Sequence, residues 1–184
     1  IVVDTDEHPR ASTTLEGLAK LKPVVTAEGT VTAGNASGIN DGAAAVLIAS
    51  EQAVEQYQLK PRAKIIASTA VGIEPRIMGF APAPAIKKLL KQANLTLEQI
   101  DVIELNEAFA AQALAVTRDL GLADDSTQVN PNGGAIAIGH PLGASGARLV
   151  TTALNQLEQT GGTYALCSMC IGVGQGIAMI IQRV

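Results

Sequence analysis

The chain has 184 residues, 47% of them hydrophobic, a formal net charge of −4 and only four aromatics, Tyr57, Phe80, Phe109 and Tyr164. That length allows one sizeable domain, whose core must be built from Ala, Val, Ile and Leu. The acidic balance argues against a nucleic-acid binder, and no apolar run is long enough to span a bilayer. With only Cys167 and Cys170 present, a disulfide framework is excluded and a reducing, cytoplasmic compartment is expected. The opening Ile1-Val2-Val3-Asp4 reads as the middle of a longer protein.

Residues 1–29 are polar, with one short helical run from Thr13 to Lys20. They read as the end of an excursion or lid. From Thr30 onward, strand and helix patterns alternate. Gly42 to Ser50 is small and apolar, which predicts a buried strand, and Glu51 to Leu59 predicts a helix. Ala63 to Ile73 is rich in β-branched residues and predicts a strand. Pro84 to Asn94 predicts an amphipathic helix with Pro in its first turn. Asp101 to Leu105 predicts a strand. Asn106 to Leu120 predicts a helix with Asn106 as its cap and Glu107 in its first turn. Gly134 to Ile138 predicts a strand. Gly143 to Gln159 predicts a helix that Gly161-Gly162 stops. Thr163 to Met169 and Gly176 to Gln182 predict a final hairpin. The expected class is α/β, with a mostly parallel sheet and an antiparallel edge.

Four clusters sit at strand ends. Cys170 opens Cys170-Ile171-Gly172-Val173-Gly174, where glycines let backbone N–H groups face an incoming anion. It is either a reactive thiol or a packed free cysteine. Pairing Cys167 with Cys170 for redox or metal chemistry is disfavoured, because residues three apart in a strand face opposite ways. No second cysteine pair exists for zinc. His140 lies in Gly139-His140-Pro141-Leu142-Gly143-Ala144-Ser145-Gly146, where an imidazole can serve a thiolate or an oxyanion, or simply satisfy the backbone. The two glycines after it lack the Lys-Ser/Thr of a phosphate loop. Asn106 and Glu107 stand where a strand passes into a helix, and Gly34 to Gly42 forms a loop dense in Gly, Asn and Ser. Taken together, these clusters offer the groups that thiol chemistry uses.

The segments "GNASGINDGAAA", "NEAFAAQ", "NGGAIAIGHPLGASGAR" and "CIGVGQG" closely resemble the C-terminal signatures of the thiolase family, in that family's order. The resemblance covers essentially the whole chain. It implies the C-terminal half of the thiolase fold, βαβαβαββ, over residues 30–184, preceded over residues 1–29 by the end of a loop domain. It implies Cys170 as the acid/base, and His140 as the residue that activates a nucleophilic cysteine and helps hold the thioester oxygen. Asn106 would position a water in that first oxyanion hole, and the Gly172 N–H would serve a second. Ala36, Ser37, Met78 and Phe109 match positions lining the pantetheine channel. Coenzyme A is implied as a substrate, with no cofactor and no metal. The implied partners are an N-terminal half carrying the nucleophile, acyl-CoA substrates and a second copy or more in a homodimer or homotetramer. Neither nucleic acid nor membrane is expected. Val173 replaces the middle glycine of the family's commoner triplet. In this the chain is similar to the 3-oxoadipyl-CoA thiolases. The competing readings are an acetoacetyl-CoA thiolase and a non-catalytic module that binds CoA thioesters or lipid; intact Cys170, His140 and Asn106 argue against the second.

Overall fold

The computed structural model describes all 184 residues and contains one four-stranded sheet in the order β1-β4-β3-β2. The strands are β1 (Ala63–Gly72), β2 (Val102–Leu105), β3 (Tyr164–Ile171) and β4 (Gln175–Arg183). β2 runs parallel to β3, whereas β3–β4 and β1–β4 are antiparallel. The class is α/β with a mixed sheet. Its balance differs from the expectation, because two of the three pairings are antiparallel.

Helices cover both faces. On one lie α3 (Pro82–Ala93) and α4 (Ala110–Asp119), preceded by the short α1 (Leu15–Ala19) and α2 (Glu51–Gln56) in the chain. α3 buries Ala85, Ile86 and Leu89 against Ile103, Leu105, Leu166 and Ile180. Its lysines stay outside, where Lys87 pairs with Asp119 of α4 at 2.8 Å. Pro82 sits in the first turn, where a missing N–H costs nothing, and Asn94 closes the helix in the left-handed region at φ 52°. On the other face lies α6 (Ser145–Thr160), after the four-residue α5 (Ala135–Ile138). α6 presents Leu149, Ala153 and Leu157, spaced four apart, to Val102, Ala165, Cys167 and Ile181. All four residues of β2 are buried, as expected for a strand covered on both faces. No helix is long and apolar enough to cross a membrane.

Three expectations are corrected. Residues 42–50 form no ladder and are exposed, because nothing in this chain pairs with them. Leu47 and Ile48 are 86% and 70% accessible. Residues 134–138 form a turn of helix rather than a strand, because the Glu107 carboxylate accepts the Ile136 N–H at 3.2 Å near the helix start. The helix expected from Asn106 starts four residues later, at Ala110, with Phe109 at its cap position. Asn106 itself prolongs the ladder, donating its N–H to Ser168 O at 2.9 Å.

The β3–β4 hairpin turns through Val173 at φ 62° and Gly174 at φ 85°. In this three-residue loop the positive φ at Val173 suits Gly or Asn, and a β-branched residue there is strained. At Gly174 a side chain is impossible, because a Cβ would lie 2.3 Å from Ile73 O. Val173→Gly should therefore stabilise the complete protein by about 1 kcal/mol, the relief of left-handed strain exceeding glycine's entropy cost. Denaturant unfolding checks this, and a lower midpoint would refute it.

Candidate active site

The β2 strand delivers Asn106 to the edge from which α6 also starts. Between them stands His140, 9% exposed. Its Nδ1 lies 2.6 Å from Ser145 Oγ, and its Nε2 lies 3.2 Å from Asn106 Nδ2. Ser145 Oγ donates its single hydrogen to Pro141 O at 2.9 Å. The hydroxyl therefore accepts at Nδ1, which carries the ring proton. Nε2 then holds a lone pair and accepts from the Asn106 amide. Burial, and after it the nearby Arg148 charge, hold the His140 pKa below its ordinary value. The ring is thus a neutral base whose basic nitrogen is Nε2. Asn106 is fully buried, and its Oδ1 has no partner, leaving an acceptor for a donor brought into the site.

The backbone around His140 is held from two directions. Asn40 Oδ1 accepts the His140 N–H at 3.0 Å, and Ile39 bridges His140 in parallel fashion. Glu107 is not a helix-dipole charge. Its carboxylate accepts from Asn130 Nδ2 at 2.9 Å as well as from Ile136, fixing the loop that leads to His140. His8 Nε2 lies 3.0 Å from Ile136 O, so the polar lead-in folds onto the same loop.

Cys170 sits at the end of β3, the strand beside β2. It is buried, and burial raises its pKa, so it stays a thiol near neutrality. No side-chain hydrogen bond joins it to His140 or Asn106. Gly172 lies beyond it in the turn, with open space where a Cβ would point. Cys167 occupies the α6 face, and burial and the neighbouring Glu104 push its thiol far up. The cysteines are unpaired and, by strand alternation, face opposite ways.

Ala36 pairs with Phe109 across an isolated bridge, and Ser37 N–H donates to Ala108 O at 3.0 Å. Ala36, Ser37 and Phe109 thus share one loop-to-helix junction. Met78 belongs to the 3-10 segment Pro75–Phe80, which packs against α4.

Sequence reading missed Ser145, Asn40, and the pair Glu104–Arg148. Glu104 is wholly buried in β2 and accepts from Arg148 Nη1 of α6 at 3.1 Å. Burial pushes its carboxyl up to about 7, against the opposing pull of Arg148. Ser145 lies inside the quoted histidine segment, but a hydroxyl at a helix start resembles any cap.

A base held in one tautomer, a spare amide acceptor and a thiol on the next strand are groups that thiol chemistry can use. The family model "Thiolase, C-terminal domain" matches residues 59–183, and "Thiolase, N-terminal domain" matches residues 1–52. The chain belongs to the thiolase family. It is 88% identical to a beta-ketoadipyl-CoA thiolase of Acinetobacter baylyi over all 184 residues, which is 46% of that protein. It is 60% identical to the Escherichia coli 3-oxoadipyl-CoA/3-oxo-5,6-dehydrosuberyl-CoA thiolase, covering 99% of this chain and 45% of that protein. Among solved structures, the Bacillus anthracis acetyl-CoA acetyltransferase superposes with a TM-score of 0.92 at 44% identity, covering all of this chain and 46% of that one. The chain thus spans about half the length of the relatives it matches.

Proposed function

We propose that the protein containing this chain thiolytically cleaves 3-oxoadipyl-CoA to succinyl-CoA and acetyl-CoA. The observation that carries the reading is the Asn106–His140–Ser145 chain at the end of β2, with Cys170 near the end of the neighbouring strand β3. The printed names of the most similar relatives support the substrate. An upstream half supplies the nucleophilic cysteine, and His140 Nε2 takes its proton. The thiolate adds to the 3-keto carbon, and the protonated Nε2 now donates to the thioester oxygen, where charge builds as the acetyl-CoA carbanion forms. A water accepted by the free Asn106 Oδ1 completes that hole. The C2–C3 bond breaks, and Cys170 protonates the departing acetyl-CoA carbanion. The Cys170 thiolate then takes the proton of free coenzyme A. The CoA sulfur attacks the succinyl thioester, the Gly172 N–H steadies the second oxyanion, and the enzyme thiol is restored. Ala36, Ser37, Met78 and Phe109 line the channel for the pantetheine arm. No cofactor takes part.

The upstream half also covers the exposed apolar face of this chain. An apolar cleft of about 640 Å³ opens beside α6, lined by Val46, Leu149, Cys167 and Met169 among others. We read the assembled protein as a cytoplasmic homodimer or homotetramer, the unpaired cysteines supporting a reducing compartment.

The test is an assay of the complete protein with free CoA and either 3-oxoadipyl-CoA or acetoacetyl-CoA. The six-carbon diacid thioester should give the higher kcat/KM, and preference for acetoacetyl-CoA would overturn the substrate assignment. The 184-residue chain alone should turn over neither thioester, and activity from it would refute the need for an upstream nucleophile.

A further inference from the structure

Two side-chain bridges join the end of β2 to the start of α6. The first is the chain Asn106–His140–Ser145. The second is Glu104–Arg148, at 3.1 Å. Glu104 precedes Asn106 by two residues and so shares its face of β2. Arg148 follows Ser145 by three residues and so shares its side of α6. The ionic bridge therefore lies one layer beneath the histidine bridge and spans the same gap between the same two elements.

Stability does not account for the lower bridge. Val102, Leu149 and Cys167 make an apolar cluster on this face. Glu104 is 0% exposed, and a carboxylate there gives up its hydration. Glu104 Oε1 and Arg148 Nη2 are both left without partners. Well-packed apolar residues of similar volume would hold the layers together as well or better. What an ion pair adds is a fixed length and direction, which interdigitated aliphatic side chains do not impose.

The histidine bridge needs that fixed length. His140 reaches β2 and α6 only through its two ring nitrogens, at 3.2 Å and 2.6 Å. Hydrogen bonds weaken steeply outside their normal range. A small widening of the gap would break one contact or the other. Losing Ser145 would free Nδ1 and release the tautomer. Losing Asn106 would let the ring swing from the base position.

We infer that Glu104 and Arg148 are a positioning pair for His140, setting the spacing between β2 and α6 on which both ring contacts depend. This rests on the reading that His140 acts as the base, and the experiment separates the two. In the complete protein, at pH about 8, Glu104→Gln keeps the shape and one acceptor but removes the charge. Its kcat should fall about 10²-fold, the cost of a displacement near 1 Å at a reacting group. KM for CoA should stay within about twofold, because ground-state binding is untouched. Histidine-selective ¹⁵N labelling, with the His140 signals identified by their loss in His140→Ala, should show one Nδ1–H tautomer in the parent and a mixture in Glu104→Gln. Arg148→Lys keeps a cation and should give an intermediate kcat and tautomer ratio.

An unmoved tautomer with unchanged kcat, or a kcat loss matched only by a smaller folded fraction, would overturn the inference. Should Glu104→Gln not fold, Arg148→Lys decides on the same readouts. Should the parent lack thiolase activity, the proposed function fails in the parent itself. The tautomer comparison then still confirms or refutes the positioning role.

Discussion

Replacing Cys170 by alanine in the complete protein is expected to lower turnover by about 10²–10⁴-fold, the usual worth of a general acid–base group. Acylation of the upstream cysteine by acetyl-CoA, which expels a thiolate rather than a carbanion, should survive, because the base proposed to activate that cysteine is His140. The covalent acetyl-enzyme should therefore accumulate, visible as added mass on the intact protein after a brief incubation with acetyl-CoA. Burial is what suits Cys170 to the task. It holds the sulfur as a thiol, so a proton is available when the carbanion leaves. Cys167→Ala supplies the contrast. Cys167 packs among Val102, Leu149 and Ala153, and Glu104 stands beside it in register. Its loss removes packing and should cost about 1 kcal/mol, with turnover nearly unchanged. Equal turnover losses in the two variants would remove Cys170 from the mechanism.

The elements legible in the sequence are those whose local pattern needs no distant partner. The Leu149, Ala153, Leu157 stripe marks α6 with its own period. The glycines of residues 172–176 announce the hairpin turn. Residues 42–50 are different, because an apolar run becomes a strand only against a neighbour, and this chain contains none for it. Residues 134–138 combine Ala and Ile without a decisive period, and a carboxylate 29 residues away at Glu107 tips them into a helical turn. The site divides similarly. His140 and Asn106 stand out as polar groups at glycine-flanked junctions. Ser145 and Arg148 look like ordinary residues of a helix start, and Glu104 looks misplaced in an apolar strand. Their meaning comes from the register of β2 against α6, which no local pattern encodes.

Substituting His140 by alanine should lower turnover by several orders of magnitude, because in the proposed mechanism one ring serves two steps: it takes the thiol proton and then donates to the oxyanion. The apparent pKa for alkylation of the upstream cysteine should rise, since the thiolate loses its base. A histidine that only satisfied the backbone would behave otherwise. The contact at His140 N–H belongs to the backbone and survives the substitution, so the fold should persist. Asn106→Ala should cost less, on the scale of one oxyanion donor, about 10²–10³-fold. Asn106 donates to Nε2 through Nδ2 and keeps Oδ1 free, so it acts on the ring and, through water, on the same oxygen. The double variant should therefore lose less than the sum of the single losses in free energy, as groups acting as a unit do. Fully additive losses, or an alkylation profile unmoved in His140→Ala, would separate the two residues and end the shared-site assignment.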